Sequence, residues 1–396
     1  MWAFRDKVAV AGIGYSPLTR RAERPLVSLA IEACDAALAD AGLTRRDLDG
    51  VATSPGMPRY GGAKGTVEGI DVVTPWYLID QMGVSPQILY TGSSNGMVTQ
   101  SFIDAAMAIA SGVCSHVIVY RALHVPPGSY VNFDSKYAEG QNQFFAPYGA
   151  SGPPSWAATV LRRYFEMFGY SREDMARYIV DNRSNVQMNP NGYWRGKPLA
   201  REDYLGARMI ADPMSILDCD IPVDGCAAIL LTSTQRARDL QQIPALLNGF
   251  SAGTHSPPTG VPMTLEDIWI GCEQVANRLW QATGLGPDAF DNAQLYDGFS
   301  PFVFLWLEGL GVVKRGEGLA FLRDGHGSLT GKLPINTGGG ALGEGRLHGM
   351  TQLAEAVLQV TGRAGERQVP GSRRAIATIS NGLTKATAFS FSRDEV

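Results

Sequence analysis

The run Leu333-Pro-Ile-Asn-Thr-Gly-Gly-Gly-Ala-Leu-Gly-Glu-Gly-Arg-Leu-His-Gly-Met350 constrains the fold of this chain more than any other feature. Five glycines stand between Gly338 and Gly345, so the backbone there can approach a ligand closely. Leu347, Met350, Leu353, Ala354, Val357 and Leu358 follow at helical spacing and predict a helix over Leu347–Thr361. A glycine loop that delivers a helix N-terminus to a pocket suits the holding of developing negative charge. The loop ends on Arg346, a permanent cation.

The rest of the chain alternates short apolar strands with amphipathic helices, the rhythm of an α/β protein. Strands are expected at Lys7–Gly12, Gln87–Tyr90, His116–Tyr120 and Val223–Leu231, with helices at Val27–Ala41 and Val98–Ser111. Residues from about Arg121 to Cys219 break this rhythm. They are rich in Pro, Gly, Asn, Tyr and Phe, with helices expected near Ser155–Phe168 and Arg172–Gln187. So long an interruption reads as a functional cap inserted in the N-terminal half. The plan then repeats, with strands at Ile243–Phe250, Ala293–Tyr296, Ile376–Ile379 and Ala386–Phe391 and helices at Glu266–Thr283 and Pro301–Gly309. The chain therefore divides into an N-terminal half, residues 1–240 with the cap at about 121–219, and a C-terminal half, residues 241–396.

A net charge of −4 leaves no basic footprint for nucleic acid. No apolar run reaches the ~18 residues of a membrane span, and the first residues lack a signal pattern. The five cysteines (34, 114, 219, 226 and 272) have no framework spacing and read as reduced, mostly buried thiols, which points to the cytoplasm. The five histidines show no metal-ligand spacing, so no metal is expected.

Four motifs together resemble the thiolase superfamily, in its branch of sterol-carrier-type and lipid-transfer thiolase-like proteins. They are the glycine run with Asn336, Gln294-Leu-Tyr-Asp-Gly-Phe-Ser-Pro301, Leu89-Tyr-Thr-Gly-Ser-Ser-Asn-Gly-Met97 and Ile379-Ser-Asn-Gly382. Val223-Asp-Gly-Cys-Ala-Ala also matches the Asp-Gly-Ala-Ala motif of these proteins. The resemblance implies a five-layered thiolase fold of two repeated halves, whose helix N-termini converge on one site. At the thiolase catalytic positions Ser93 stands for the nucleophilic cysteine, Tyr296 and Arg346 for histidines, and Ser380 for the second cysteine. A serine nucleophile needs an adjacent base, and no histidine falls on a matching position.

Within the superfamily, Tyr296-Asp-Gly-Phe-Ser-Pro-Phe302 resembles the steroid side-chain aldolases, which cleave a 3-hydroxyacyl-CoA into a ketone and a shorter acyl-CoA such as propionyl-CoA. Their second tyrosine falls on Arg346 here, within Gly343-Glu-Gly-Arg-Leu-His-Gly349. The resemblance implies a homodimer and a separate partner with a zinc ribbon and an OB-fold, in some cases joined with a hydratase. CoA is part of the substrate, and no other cofactor is implied. Tyr296 is expected as the acid/base, its pKa lowered by Arg346, with His348 beside them. Gly338, Gly339 and Gly340 are expected to offer amides to the thioester, with Ser93 and Ser380 contacting substrate. Other readings stay open at this point. Ser93 can serve as a helix N-cap, Arg346 can pair with Glu344, and His348 can simply pack. Asp297 should face away from Tyr296 and bind backbone, since side chains alternate along a strand. Tyr148 and Trp194 of the cap are candidates to line a bulky apolar site. An acyltransferase with an unusual nucleophile and a non-catalytic acyl-CoA-binding subunit remain the alternatives.

Overall fold

The computed structural model describes residues 1–55, 67, 69–94, 97–125, 143–144, 146–150, 152–254, 264–381 and 385–393. Residues 126–142 of the cap, Gly382 and the side chain of Ser380 lie outside them. The strands are β1 (Val8–Tyr15), β2 (Gly50–Thr53), β3 (Tyr90–Ser93), β4 (His116–Leu123), β5 (Met209–Ala211), β6 (Met214–Ser215), β7 (Gly225–Ser233), β8 (Ala245–Thr254), β9 (Asn292–Gln294), β10 (Arg374–Asn381) and β11 (Lys385–Arg393). The helices up to the middle of the chain are α1 (Leu26–Asp40), α2 (Pro75–Met82), α3 (Val98–Ala110), α4 (Pro153–Phe168), α5 (Arg172–Gln187), α6 (Arg201–Leu205) and α7 (Thr234–Ala237). Those that follow are α8 (Leu265–Thr283), α9 (Pro301–Gly309), α10 (Gly318–Arg323), α11 (Gly340–Gly343) and α12 (Met350–Val360).

The large sheet runs β3-β2-β4-β7-β1-β8-β11-β10-β9. The order on the two sides of the β1–β8 junction is mirrored. Each arm starts from its first strand, passes its last, and ends in parallel strands, with β2 beside β3 and β4 in one arm and β9 beside β10 in the other. A parallel bridge between Ala293 and Ile335 marks the counterpart of β3. The Ser93 turn and the glycine run thus follow equivalent strands.

Alternation in the strands builds the layers. Val8 and Val10 of β1 join one core with Val117, Val119, Ile229 and Leu231. Ala9 and Ala11 join the opposite core with Ile118, Tyr120, Ala228 and Leu230, under α1 and α2. Such strands carry apolar residues on both faces because helices cover both. α12 touches β7 on one side and β9 and β10 on the other. Phe102 of α3 packs edge-on to Phe389 and Phe391 of β11, with centroids 5.3 and 6.3 Å away. The two helices therefore form the middle layer between the arms, and α8 covers β8 and β11 outside.

Two boundaries differ from expectation. β3 starts at Tyr90 because Ser85–Gln87, with Pro86 at its start, winds into a short 3-10 turn. α12 starts at Met350, not Leu347, because His348 and Gly349 have φ of 53° and 99°. His348 lies in the loop before that helix. α9 is buried along its whole length, as a helix apolar on all sides must be. Its one charge, Glu308, accepts hydrogen bonds from Tyr164 (2.5 Å), Trp269 (2.6 Å) and the amides of Gly316 (2.9 Å) and Gly318 (3.0 Å).

Candidate active site

Beyond β9 the chain runs on through Leu295, Tyr296 and Asp297 to Gly298, and alternation sends Tyr296 and Asp297 to opposite sides. Tyr296 is 7% exposed. Its ring folds back over Gly298. A Cβ on Gly298 would lie 2.7 Å from Cε1, 2.8 Å from the hydroxyl oxygen and 2.9 Å from Cζ of Tyr296. Glycine at 298 is what lets the phenol sit there.

Asp297 turns to the glycine run, as alternation predicts. Its Oδ1 accepts from the amide of Ala341 (2.6 Å) and from Gln352 Nε2 (2.9 Å), and its Oδ2 from the amide of Leu342 (3.3 Å). The Ala341 and Leu342 amides of α11 are taken by the protein's own carboxylate, and the Gly339 amide donates to Asn336 O at 2.8 Å. This corrects the role expected of Gly339 alone among the three glycines. The three glycines also serve close packing. Side chains there would meet Glu355 at 2.9 Å, Val186 at 2.7 Å and Asp297 at 2.3 Å, respectively. Burial pushes the Asp297 carboxyl up to about 7 against the pull of these amides, and Asp220 adds to the rise.

α5 and the turn that follows it prop the run from beneath through three buried asparagines, Asn182 and Asn185 on the helix and Asn189 just beyond its C-cap. Asn182 reaches Asp297 (3.5 Å), Asn185 reaches Asn336 O (3.2 Å), and Asn189 reaches Gly338 O (2.8 Å) and Glu344 (2.9 Å). Asn336 itself is left-handed, with φ 47°. Its side chain accepts from the Leu295 amide at 2.7 Å and ties the run to the segment after β9 that carries Tyr296.

The segment Asp220–Pro222 is stitched to both motifs. The Asp220 amide donates to Gly298 O (3.0 Å), that of Ile221 to Ala341 O (3.3 Å), and that of Arg346 to Ile221 O (2.9 Å). Cys219 also bridges Phe299. Tyr296, Asp220 and Arg346 are thereby gathered around one short stretch of backbone. The expected lowering of the Tyr296 pKa is overturned. Burial raises it most, the charge of Asp220 raises it further, and the opposing pull of Arg346 does not compensate. The phenol is therefore protonated at neutral pH.

His348 Nδ1 faces Arg121 Nε and Nη2, each at 3.2 Å. A guanidinium only donates, so Nδ1 is the acceptor in this contact. Ser93 ends β3 and is exposed. The N-cap of α3 is Met97, not Ser93. Ser380 pairs with Ala386 in the sheet. One oxygen of Glu344 is bound to Asn189, and Tyr15 stands beside that carboxyl. Trp194 lies under Arg183 at 4.3 Å, and Tyr148 is 86% exposed. Sequence reasoning missed Asp220, Arg121 and the asparagines. An arginine inside the apolar run Val117–Leu123, and Asn182, Asn185 and Asn189 at helical spacing, were available signals.

The family model for the thiolase C-terminal domain-like family matches residues 267–391. A 17-hydroxy-3-oxo-4-pregnene-20-carboxyl-CoA lyase of Mycobacterium tuberculosis is 34% identical over 95% of this chain and 97% of its own length. The chain belongs to the steroid side-chain aldolase family of the thiolase superfamily. A steroid side-chain-cleaving aldolase of Thermomonospora curvata is 33% identical to this family member over 89% of it and 90% of the relative. The solved structure of the Ltp2-ChsH2(DUF35) aldolase superposes on this aldolase with a TM-score of 0.84 at 30% identity, covering 99% of each chain.

Proposed function

We propose that the protein cleaves a 3-hydroxyacyl-CoA thioester with a large apolar end, a steroid side-chain CoA, into a ketone and a short acyl-CoA such as propionyl-CoA. The β-hydroxyl loses its proton and the Cα–Cβ bond breaks. Its electron pair becomes the thioester enolate, which takes a proton at Cα. The observation that carries this reading is the gathering of a protonated phenol and a guanidinium, Tyr296 and Arg346, about one backbone segment. Tyr296 gives its proton to the enolate carbon, and Arg346 offsets the charge on the thioester oxygen. His348, oriented by Arg121, supports the loop beside them. The names of the relatives support the substrate class.

Acyl transfer is disfavoured by the thiols. Burial raises the pKa of Cys34, Cys219, Cys226 and Cys272 and pushes Cys114 up to about 12. None of them is the thiolate that such chemistry needs.

The two-protein aldolase among the structural neighbours supports a partner chain here; that this partner is a zinc-ribbon/OB-fold protein is part of the proposal. A homodimer is proposed through the outer edge of β3, beside which Trp76 and Leu89 are 68% and 70% exposed. No described helix is long and apolar enough to cross a membrane.

The test co-expresses the chain with such a partner and supplies a steroid 3-hydroxyacyl-CoA bearing a branched three-carbon unit. Ketone and propionyl-CoA are followed by mass spectrometry. Cleavage by wild type that disappears in Tyr296→Phe supports the reading. Binding without cleavage by wild type rejects it in favour of a non-catalytic subunit.

A further inference from the structure

The retro-aldol reaction needs a base for the β-hydroxyl, and the aldolase pattern's second tyrosine is absent at Arg346. Among the groups gathered here, most are disqualified. The Tyr296 phenol is held protonated by burial. Arg346 and Arg121 are permanent cations. His348 turns its accepting nitrogen to Arg121. Both oxygens of Asp297 are taken by the amides of Ala341 and Leu342 and by Gln352.

We propose that Asp220 is the catalytic base, taking over the role of the missing tyrosine. The inference rests on the retro-aldol reading above. Three observations place it. Asp220 is 5% exposed, so its charge acts in a medium that weakens it little. Its amide is fixed on the carbonyl of Gly298, the residue against which the Tyr296 hydroxyl lies. The next residue, Ile221, receives the amide of Arg346. The backbone that carries the carboxylate thus stands between the segments that carry the proton donor and the cation, at a point set by hydrogen bonds, and the charge of Asp220 reaches the Tyr296 phenol.

The step balances without a co-reactant. The Asp220 carboxylate takes the hydroxyl proton as the C–C bond breaks and the ketone forms. Tyr296 then gives its proton to Cα of the enolate. The proton on Asp220 passes to the Tyr296 phenolate, and both groups return to their starting states.

The experiment uses the full chain with its partner and the same steroid 3-hydroxyacyl-CoA, comparing wild type, Asp220→Asn and Asp220→Ala. Asn keeps the size and the backbone bond to Gly298. Its kcat is expected to fall ~10²–10⁴-fold with KM within about three-fold, the span of a lost general base. In Asp220→Ala, added formate is expected to restore turnover by roughly ten-fold or more, a response that a packing role would not give. Wild-type cleavage with an Asn variant within about three-fold in kcat would overturn the assignment of Asp220 and leave the retro-aldol reading standing. So would variants that are inactive, or that fail to fold, with no formate response in the Ala protein. No cleavage by wild type would remove both.

Discussion

Gly298→Ala tests whether the position of the Tyr296 hydroxyl, and not merely its presence, sets the rate. The backbone at 298 is not left-handed, so the added methyl strains nothing by itself. It would stand 2.7–2.9 Å from three atoms of the phenol, where ordinary contacts begin at 3.4 Å. The ring must therefore retreat by about 0.5–1 Å, a displacement that can cost on the order of 10²-fold in rate when it misplaces a reacting group. The ring has little room to absorb this elsewhere, being buried. Overpacking should cost stability by ~1–3 kcal/mol. Steady-state turnover of the steroid thioester should show kcat reduced about 100-fold, with binding nearly unchanged. Because the methyl acts only through the phenol, Gly298→Ala should add nothing to Tyr296→Phe. A variant that retains wild-type kcat, or losses that multiply in the double variant, would refute the reasoning.

Two further outcomes concern the frame of the site. Arg367 and Glu355 form a buried pair, with contacts of 2.9 Å and 3.0 Å, that receives Thr337 of the glycine run at 2.7 Å. Arg367→Met leaves that carboxylate buried without its cation and should cost ~3–5 kcal/mol in urea unfolding; a loss below ~1 kcal/mol, the scale of an exposed pair, would contradict this. Burial pushes Glu344 up to about 8 and Asp297 up to about 7. Unfolded carboxyls titrate near ~4, so the folded protein holds these protons where the unfolded chain has lost them. Their contribution is present in full below about pH 4 and is lost as pH rises to 7–8. The melting temperature should therefore fall between about pH 5 and 8, and Glu344→Gln should flatten that fall; an unchanged slope in the variant would reject the assignment.

The fold was legible because its signals are local. Apolar alternation in β1, β4 and β7 and the helical face of α12 appear directly in the residue order, and the glycine run marks where strand gives way to helix. The placement of Asp297 was legible too, since alternation separates it from Tyr296. Two things were not. The protonation of Tyr296 depends on burial and on Asp220, which is 76 residues away in the chain. The packing that requires Gly338, Gly339 and Gly340 was not legible because glycine reports only that something comes close. Here that something is the protein's own Glu355, Val186 and Asp297. Gly298 was hidden for the same reason, as its meaning lies in the ring of a neighbour two residues earlier.

The stitching of Asp220–Pro222 onto Gly298, Ala341 and Arg346 also governs how such a protein can be recombined. β1 and β8 pair directly at only two positions, Ala9 with Leu246 and Val10 with Ala245, so a crossover near residue 240 looks permissive by sheet pairing alone. Yet the segment that carries Asp220 enters from before that crossover and reads its register from residues after it. A chimera joining the first part of one family member to the second part of another would inherit a mismatched seam beside Tyr296 and Arg346. Exchange of substrate range by swapping the cap will succeed only when residues 219–224 stay with the Tyr296 and Arg346 loops they were fitted to.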